Sequence, residues 1–145
     1  MINKWDDRFM QLAEVVSTWS KDPSTKVGAV ITKNKRVISL GFNGFATGVG
    51  DHTHRYEDRE FKYPAILHAE VNALLFAKSD LQDCTIYTYP MPPCAQCAAK
   101  IIQTGIKKVI SIRPSKELMD RWGKDMSIAN SMYADAGVSL TFMGE

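Results

Sequence analysis

No apolar run in this sequence approaches the ~20 residues that a membrane-spanning helix needs, which excludes a helical membrane protein. The opening residues, Met1 to Arg8, are charged too early for the apolar core of a signal peptide, so a cytoplasmic chain is expected, in host cytoplasm if the source is viral. Neither sign of charge dominates. Lys and Arg total 18 against 16 for Asp and Glu, a net charge of +2 that gives no broad footprint for a nucleic-acid duplex or an anionic membrane. A small anionic ligand remains compatible with it. Cysteine is scarce: three residues, an odd number, make no disulfide framework, and a close pair in a reducing compartment points to metal ligation or catalysis. No repeat, low-complexity tract or linker divides the 145 residues, so one domain over 1–145 is expected.

What is present is a regular alternation of patterns. Trp5, Phe9, Leu12, Ala13, Val16 and Trp19 recur at steps of three and four, predicting an amphipathic helix over about residues 5–19. Val27–Ile31 and Val37–Leu40 read as an antiparallel hairpin around the polar turn 32–36. From Gly41 to Pro64 no period of either kind is visible, which predicts a long loop, a feature that is often functional. Helix is expected over 66–78, with His68 and Glu70 in its first turn, then a strand at 85–89, a helix from Cys94 to Gln103 and a strand at 108–112. Residues 116–136 read as helical with an interruption near Gly123, and 138–142 as a last strand. The alternation implies an α/β sandwich.

The chemistry concentrates in two short segments. Cys94 and Cys97 stand three apart at a helix start, where the partial positive charge favours thiolate and both sulfurs can face one metal ion. His68, in another helix's first turn, completes a three-ligand zinc set that leaves a fourth tetrahedral position open. Glu70, two residues on, suits a general acid/base beside such an ion. An alternative is a closed Cys3His site with Cys84 as fourth ligand, a zinc-stapled nucleotide-binding module without catalysis. His52 and His54 read as exposed polar residues.

His68-Ala69-Glu70-Val71-Asn72-Ala73 with Pro93-Cys94-Ala95-Gln96-Cys97-Ala98 resembles the signature of zinc nucleobase deaminases. Most of the chain resembles the deoxycytidylate (dCMP) deaminases of the cytidine deaminase superfamily. Ser20–Val30, with its Lys-Asp-Pro, is similar to that family's opening loop and first strand, Gly41-Phe42-Asn43-Gly44 to its Gly-Tyr-Asn-Gly turn, and Ile101–Val109 continues the match. The zinc motifs alone also fit deaminases of cytosine, cytidine, guanine, a riboflavin precursor or tRNA adenosine. Lys-Asp-Pro and the 24 residues between Asn43 and His68 tilt the resemblance to the nucleotide enzymes.

The resemblance implies a three-layer α/β/α sandwich with a five-stranded mixed sheet, and zinc-dependent hydrolysis of dCMP to dUMP and ammonia, which supplies dUMP for dTMP synthesis. It assigns zinc to His68, Cys94 and Cys97 and the proton shuttle to Glu70. Asn43 would contact substrate, and the main-chain N–H of Ala69 would meet the pyrimidine carbonyl. Lys21 and Lys26 are the candidates for the phosphate, with Arg113 and Arg121 as alternatives. Lys21 and Asp22 replace the first-loop cysteines of phage-type members, so no second zinc site is expected, and Trp19 stands where cellular members often carry Arg. The resemblance further implies a homo-oligomer, commonly a hexamer, packing through the helix of Asn72 and Phe76. It also implies regulation by dCTP with Mg2+ and by dTTP, with no effector residues assigned.

Overall fold

The apolar runs form one five-stranded sheet in the computed structural model, which describes residues 2–144; Met1 and Glu145 of the expected 1–145 domain lie outside these. β1 (Gly28–Lys33) and β2 (Arg36–Phe42) make the antiparallel hairpin. Its turn is shorter than the residues 32–36 expected: Asn34 and Lys35 span it at φ 52° and 63°, the left-handed pair whose twist matches the flanking strands. β1 also pairs antiparallel with β3 (Thr85–Tyr89), which runs parallel to β4 (Lys108–Ile112), itself parallel to β5 (Ser139–Met143). The order is β2-β1-β3-β4-β5, a mixed sheet.

Helices cover both faces, which explains why the central strands read as continuous apolar runs. Val30, Tyr87 and Ile110 face α1 (Lys4–Ser17), where they meet Phe9, Met10 and Ala13. The alternate residues of the same strands, Ala29, Ile31, Ile86 and Val109, face the other way. There they pack with Ala69 and Ala73 of α4 (Ala69–Phe76), Ala98 and Ile101 of α5 (Ala95–Gln103), and Ala129 and Tyr133 of α6 (Lys116–Ala136). The result is the three-layer α/β/α sandwich. α4 lies so close to β2 that a Cβ at Gly41 would collide with Ala69 O and Ala73 N.

Three further expectations are corrected. The stretch from Gly41 to Pro64 is not all loop, because it contains α2 (Thr53–Glu57) and α3 (Arg59–Ala65). These helices are too short to show a period; aromatic packing holds them, with Phe45 stacked on Tyr56 at 4.5 Å and edge-on to Phe61 at 5.5 Å. α6 runs unbroken through Gly123, where an added Cβ would meet nothing within 4 Å, and an interior glycine costs a solvated helix only ~1 kcal/mol. α4 begins at Ala69 rather than 66, since Gly44 and Leu67 exchange two main-chain hydrogen bonds, of 3.1 and 2.8 Å, that keep the approach extended up to His68.

The close approach at Gly41 gives a stability test. Gly41→Ala should cost about 2–3 kcal/mol, since the obstructing atoms are main chain, and urea unfolding should show a lower midpoint; an unchanged midpoint would mean that α4 is not seated on β2 as described.

Candidate active site

β2 ends, β1 begins and β3 ends at one edge of the sheet, since Gly28 is registered with both Phe42 and Tyr89. The segments leaving that edge supply the site. α4 and α5 both start there, with His68 and Cys94 as their N-cap residues in extended conformations (ψ 152° and 169°). Neither side chain caps its own helix, so both are available to a ligand. His68 Nδ1 lies 3.6 Å from Cys94 Sγ and 3.3 Å from Cys97 Sγ, and the three ligand atoms all fall within 4.8 Å of one another. Zinc at ordinary Zn–S and Zn–N distances needs tetrahedral edges of about 3.5 Å between such atoms, so this trio fits the ion.

Cys84 takes no part in it. It is buried in the core at the head of β3, whereas Cys94 follows the tail of that strand, and the five intervening strand residues span about 17 Å at ~3.3 Å each. A closed Cys3His site is therefore not what this fold builds. Burial, with smaller help from Asp80 and Asp83 and against the opposing Lys33, pushes the Cys84 thiol up, as for an inert core cysteine. The thiols of the trio share their protons. Hydrogen bonding from Cys97, then from His68, holds Cys94 well below the usual thiol range, while the Cys94 neighbour and burial push Cys97 up.

Glu70 is 5% exposed in the first turn of α4 and lines the same cavity as His68, a space of about 580 Å³. Burial raises its carboxyl to about 7, against the opposing effects of its main-chain hydrogen bonding and the nearby His68. A carboxyl with that affinity takes and returns protons near neutral pH. A smaller apolar cavity of about 300 Å³, between α6 and β5, contains neither Glu70 nor a member of the trio.

Asn43 follows β2 and lines the large cavity, but its amide is largely engaged. Its Oδ1 accepts from Val27 N–H at 2.9 Å, and its Nδ2 donates to Thr25 O at 2.9 Å and Asp22 Oδ2 at 3.2 Å. One Oδ1 lone pair is left over. Asp22 is the hub of this loop: it is 3% exposed, accepts from Ser24 N–H, and pairs with Lys62 of α3 at 3.0 Å. The Lys-Asp-Pro segment is thereby fastened to both Asn43 and α3.

The expected phosphate lysines lie elsewhere. Lys21 pairs with Asp51 at 2.7 Å on the surface, and Lys26 donates to Ser20 O at 2.6 Å; neither lines the cavity. The cations that do line it are Arg59, Lys62 and Arg121, together with Tyr63 and Trp122 at its rim. Arg113 lies over the Phe142 ring at 5.1 Å beside the smaller cavity. Arg59 and Lys62 escaped sequence reading because α3 did, though the Asp58 N-cap, which accepts from Glu60 N–H, was a local signal for that helix. His52 and His54 are exposed, their rings stacked at 5.4 Å, and among the described residues only His68, Cys94 and Cys97 form a metal-competent group.

Comparison with known proteins agrees with this arrangement. The model of the cytidine and deoxycytidylate deaminase zinc-binding region matches residues 3–112. An uncharacterized deaminase from the luxG 3' region of Aliivibrio fischeri is 51% identical over 143 residues, covering 99% of this chain and 96% of its own. Deoxycytidylate deaminase of Mus musculus is 40% identical over 145 residues, covering 94% and 78%. The crystal structure of dCMP deaminase from cyanophage S-TIM5 in complex with dCMP and dUMP is similar with a TM-score of 0.78 at 27% identity, over 99% of each chain.

The ligand set is checked by elemental analysis of purified variants. His68→Ala and Cys97→Ala should lose nearly all bound zinc, while Cys84→Ala keeps the wild-type stoichiometry; zinc loss in Cys84→Ala would contradict the three-ligand site.

Proposed function

Since the chain belongs to the cytidine and deoxycytidylate deaminase zinc-binding family, we propose that it hydrolyses dCMP to dUMP and ammonia. The observation that carries the reaction type is a buried carboxyl, Glu70, beside a His-Cys-Cys trio that leaves a tetrahedral metal one free corner. Zinc held by His68, Cys94 and Cys97 supplies, when bound, the Lewis acidity that brings the pKa of water toward ~7. Glu70 takes the proton of the attacking water and gives it to the ring nitrogen next to the amine-bearing carbon. It then takes the remaining proton from the hydroxyl added to that carbon and delivers it to the amine, so that the carbonyl forms as the C–N bond breaks and ammonia leaves, with no bond formed between protein and substrate. The first helical hydrogen bond of α4 runs from Asn72 N to His68 O at 3.0 Å. The N–H of Ala69, ahead of it, is one of the helix's orphan donors and suits the pyrimidine carbonyl. The remaining Oδ1 lone pair of Asn43 accepts from the sugar.

A phosphorylated substrate is supported by the cations at the cavity mouth. Arg59 and Arg121 flank it from α3 and α6, with the aromatic faces of Tyr63 and Trp122 beside them. Lys62 is committed to Asp22, and Lys21 and Lys26 fasten the opening loop, so in this reading the two arginines take the phosphate. An unphosphorylated nucleoside gains nothing from them.

The same reading includes self-association and regulation. Leu75 and Phe76, the latter 61% exposed, lie with Phe42 around a groove of about 480 Å³ beside Asn72, which donates to Phe42 O at 2.8 Å. This apolar face of α4 supports a homo-oligomer, a hexamer by family resemblance. Residues 44–47 of the long segment border the groove, which supports an effector site for dCTP with Mg2+, or for dTTP, near the subunit contact. Free thiols at the metal site suit the reducing cytoplasm.

Glu70→Gln should lower kcat for dCMP by about 10²–10⁴-fold while retaining zinc; retained turnover would contradict the shuttle. Arg121→Ala should raise KM for dCMP at least ~10-fold, the size of one lost charge-assisted contact, and leave deoxycytidine turnover unchanged. Equal wild-type kcat/KM for dCMP and deoxycytidine would instead indicate a nucleoside deaminase.

A further inference from the structure

Cys94 opens α5 without capping it, so the first N–H groups of that helix need acceptors from elsewhere. Ala95, the residue after the metal ligand, finds one 30 positions along the chain: its N–H donates to Asp125 Oδ2 of α6 at 2.9 Å. Asp125 is half-buried and places a carboxylate at a helix N-terminus, where the partial positive charge favours it. The bond therefore fixes the peptide that carries Cys94 to a helix that supplies none of the metal ligands.

The position of Asp125 on α6 gives that bond a wider meaning. Leu118, Arg121, Trp122 and Asp125 follow at i, i+3, i+4 and i+7, one face of a helix, and the first three line the cavity that contains Glu70. One and two turns further, Ala129 and Tyr133 are buried in the core with Ala98 and Ile101 of α5. The same helix face thus runs from the substrate mouth, past the metal turn, into the core. A metal site tolerates errors of only ~0.2 Å in ligand distance, and a turn of irregular chain after Tyr89 is a poor way to hold a sulfur to that tolerance.

We propose that Asp125 is a positioning residue of the metal centre, which seats Cys94 through its hydrogen bond to Ala95 N–H and ties that ligand to the helix bearing Arg121. The inference rests on the zinc deaminase reading. Partners of this kind, one step outside the ligands, are worth about 10–100-fold in metal affinity or activity.

Two variants delete the bond from opposite ends. Asp125→Ala removes the acceptor. Ala95→Pro removes the donor at the first helical position, where proline suits a helix, and Cys94 already has the extended conformation (φ −68°, ψ 169°) that a following proline requires. Zinc affinity is read by competition with a chromophoric chelator, and ligand geometry by the visible bands of the cobalt(II)-substituted protein, both without substrate. Each variant should bind zinc about 10–100-fold more weakly with altered cobalt bands, and the double variant should be no worse than either single one. Asp125→Asn, which keeps an acceptor and loses the charge, should restore affinity to within about threefold; circular dichroism and urea midpoints report folding separately. In dCMP assays at saturating zinc, the loss in Asp125→Ala should fall on kcat, with KM little changed. Wild-type affinity and cobalt bands in Ala95→Pro would overturn the proposal, as would an Asp125→Asn variant as damaged as Asp125→Ala. Absence of dCMP turnover in the wild type would overturn the deaminase reading instead and leave the substrate-free measurements intact.

Discussion

Two helices start at the same end of the sheet strands, and each puts a metal-competent side chain where its capping residue would normally stand. Ser, Thr, Asp or Asn at that position turns its side chain back onto its own helix; His68 and Cys94 do not, and their side chains converge across a gap of 3.6 Å instead. The first-turn N–H groups, apart from that of Ala95, which donates to Asp125, leave a partial positive charge that favours thiolates at α5 and an electron-rich oxygen at α4. Everything else in the site is arranged around this meeting. The contact of Gly41 with α4 sets one helix on the sheet, and the parallel β3–β4 pair leads into the other.

Burial then gives Glu70 the proton affinity that its proposed role requires. A carboxyl at the surface is ionised at neutral pH and returns a proton poorly; loss of solvent at Glu70 brings proton uptake and release into balance near 7. The residues that enclose it come from distant parts of the chain. Asp22 draws together the opening loop, Asn43 and Lys62, so this part of the cavity wall is held by one buried ion pair and an amide with a single Oδ1 lone pair to spare. Removal of one partner from such a pair leaves a buried charge unmatched, so this wall is specified sharply although it is polar.

The parts of this architecture that were legible in the sequence depend on short-range spacing. Cys94 and Cys97 are three apart, Glu70 is two from His68, and Val27–Ile31 with Val37–Leu40 is a hairpin by pattern; local geometry decides all of these. The parts that were not legible depend on partners far along the chain. α2 and α3 have no period of their own and are held by Phe45 against Tyr56 and Phe61. Lys21 and Lys26 have the right charge for a phosphate, but Asp51 and the Ser20 carbonyl engage them, while Arg59 reaches the cavity from a helix too short to show a period. Gly123 reads as punctuation, yet a solvated position in a 21-residue helix, capped by Ser115 and ended by left-handed Gly137, absorbs it without a break.

The central claim is that three protein ligands hold zinc and a fourth position stays open next to Glu70. X-ray absorption at the zinc edge of the purified holoprotein tests it most directly. The account requires two sulfur neighbours at about 2.3 Å and two nitrogen or oxygen neighbours at about 2.0 Å; three sulfurs, or a set of four ligands that exogenous pyrimidine nucleotides leave unperturbed, would contradict it.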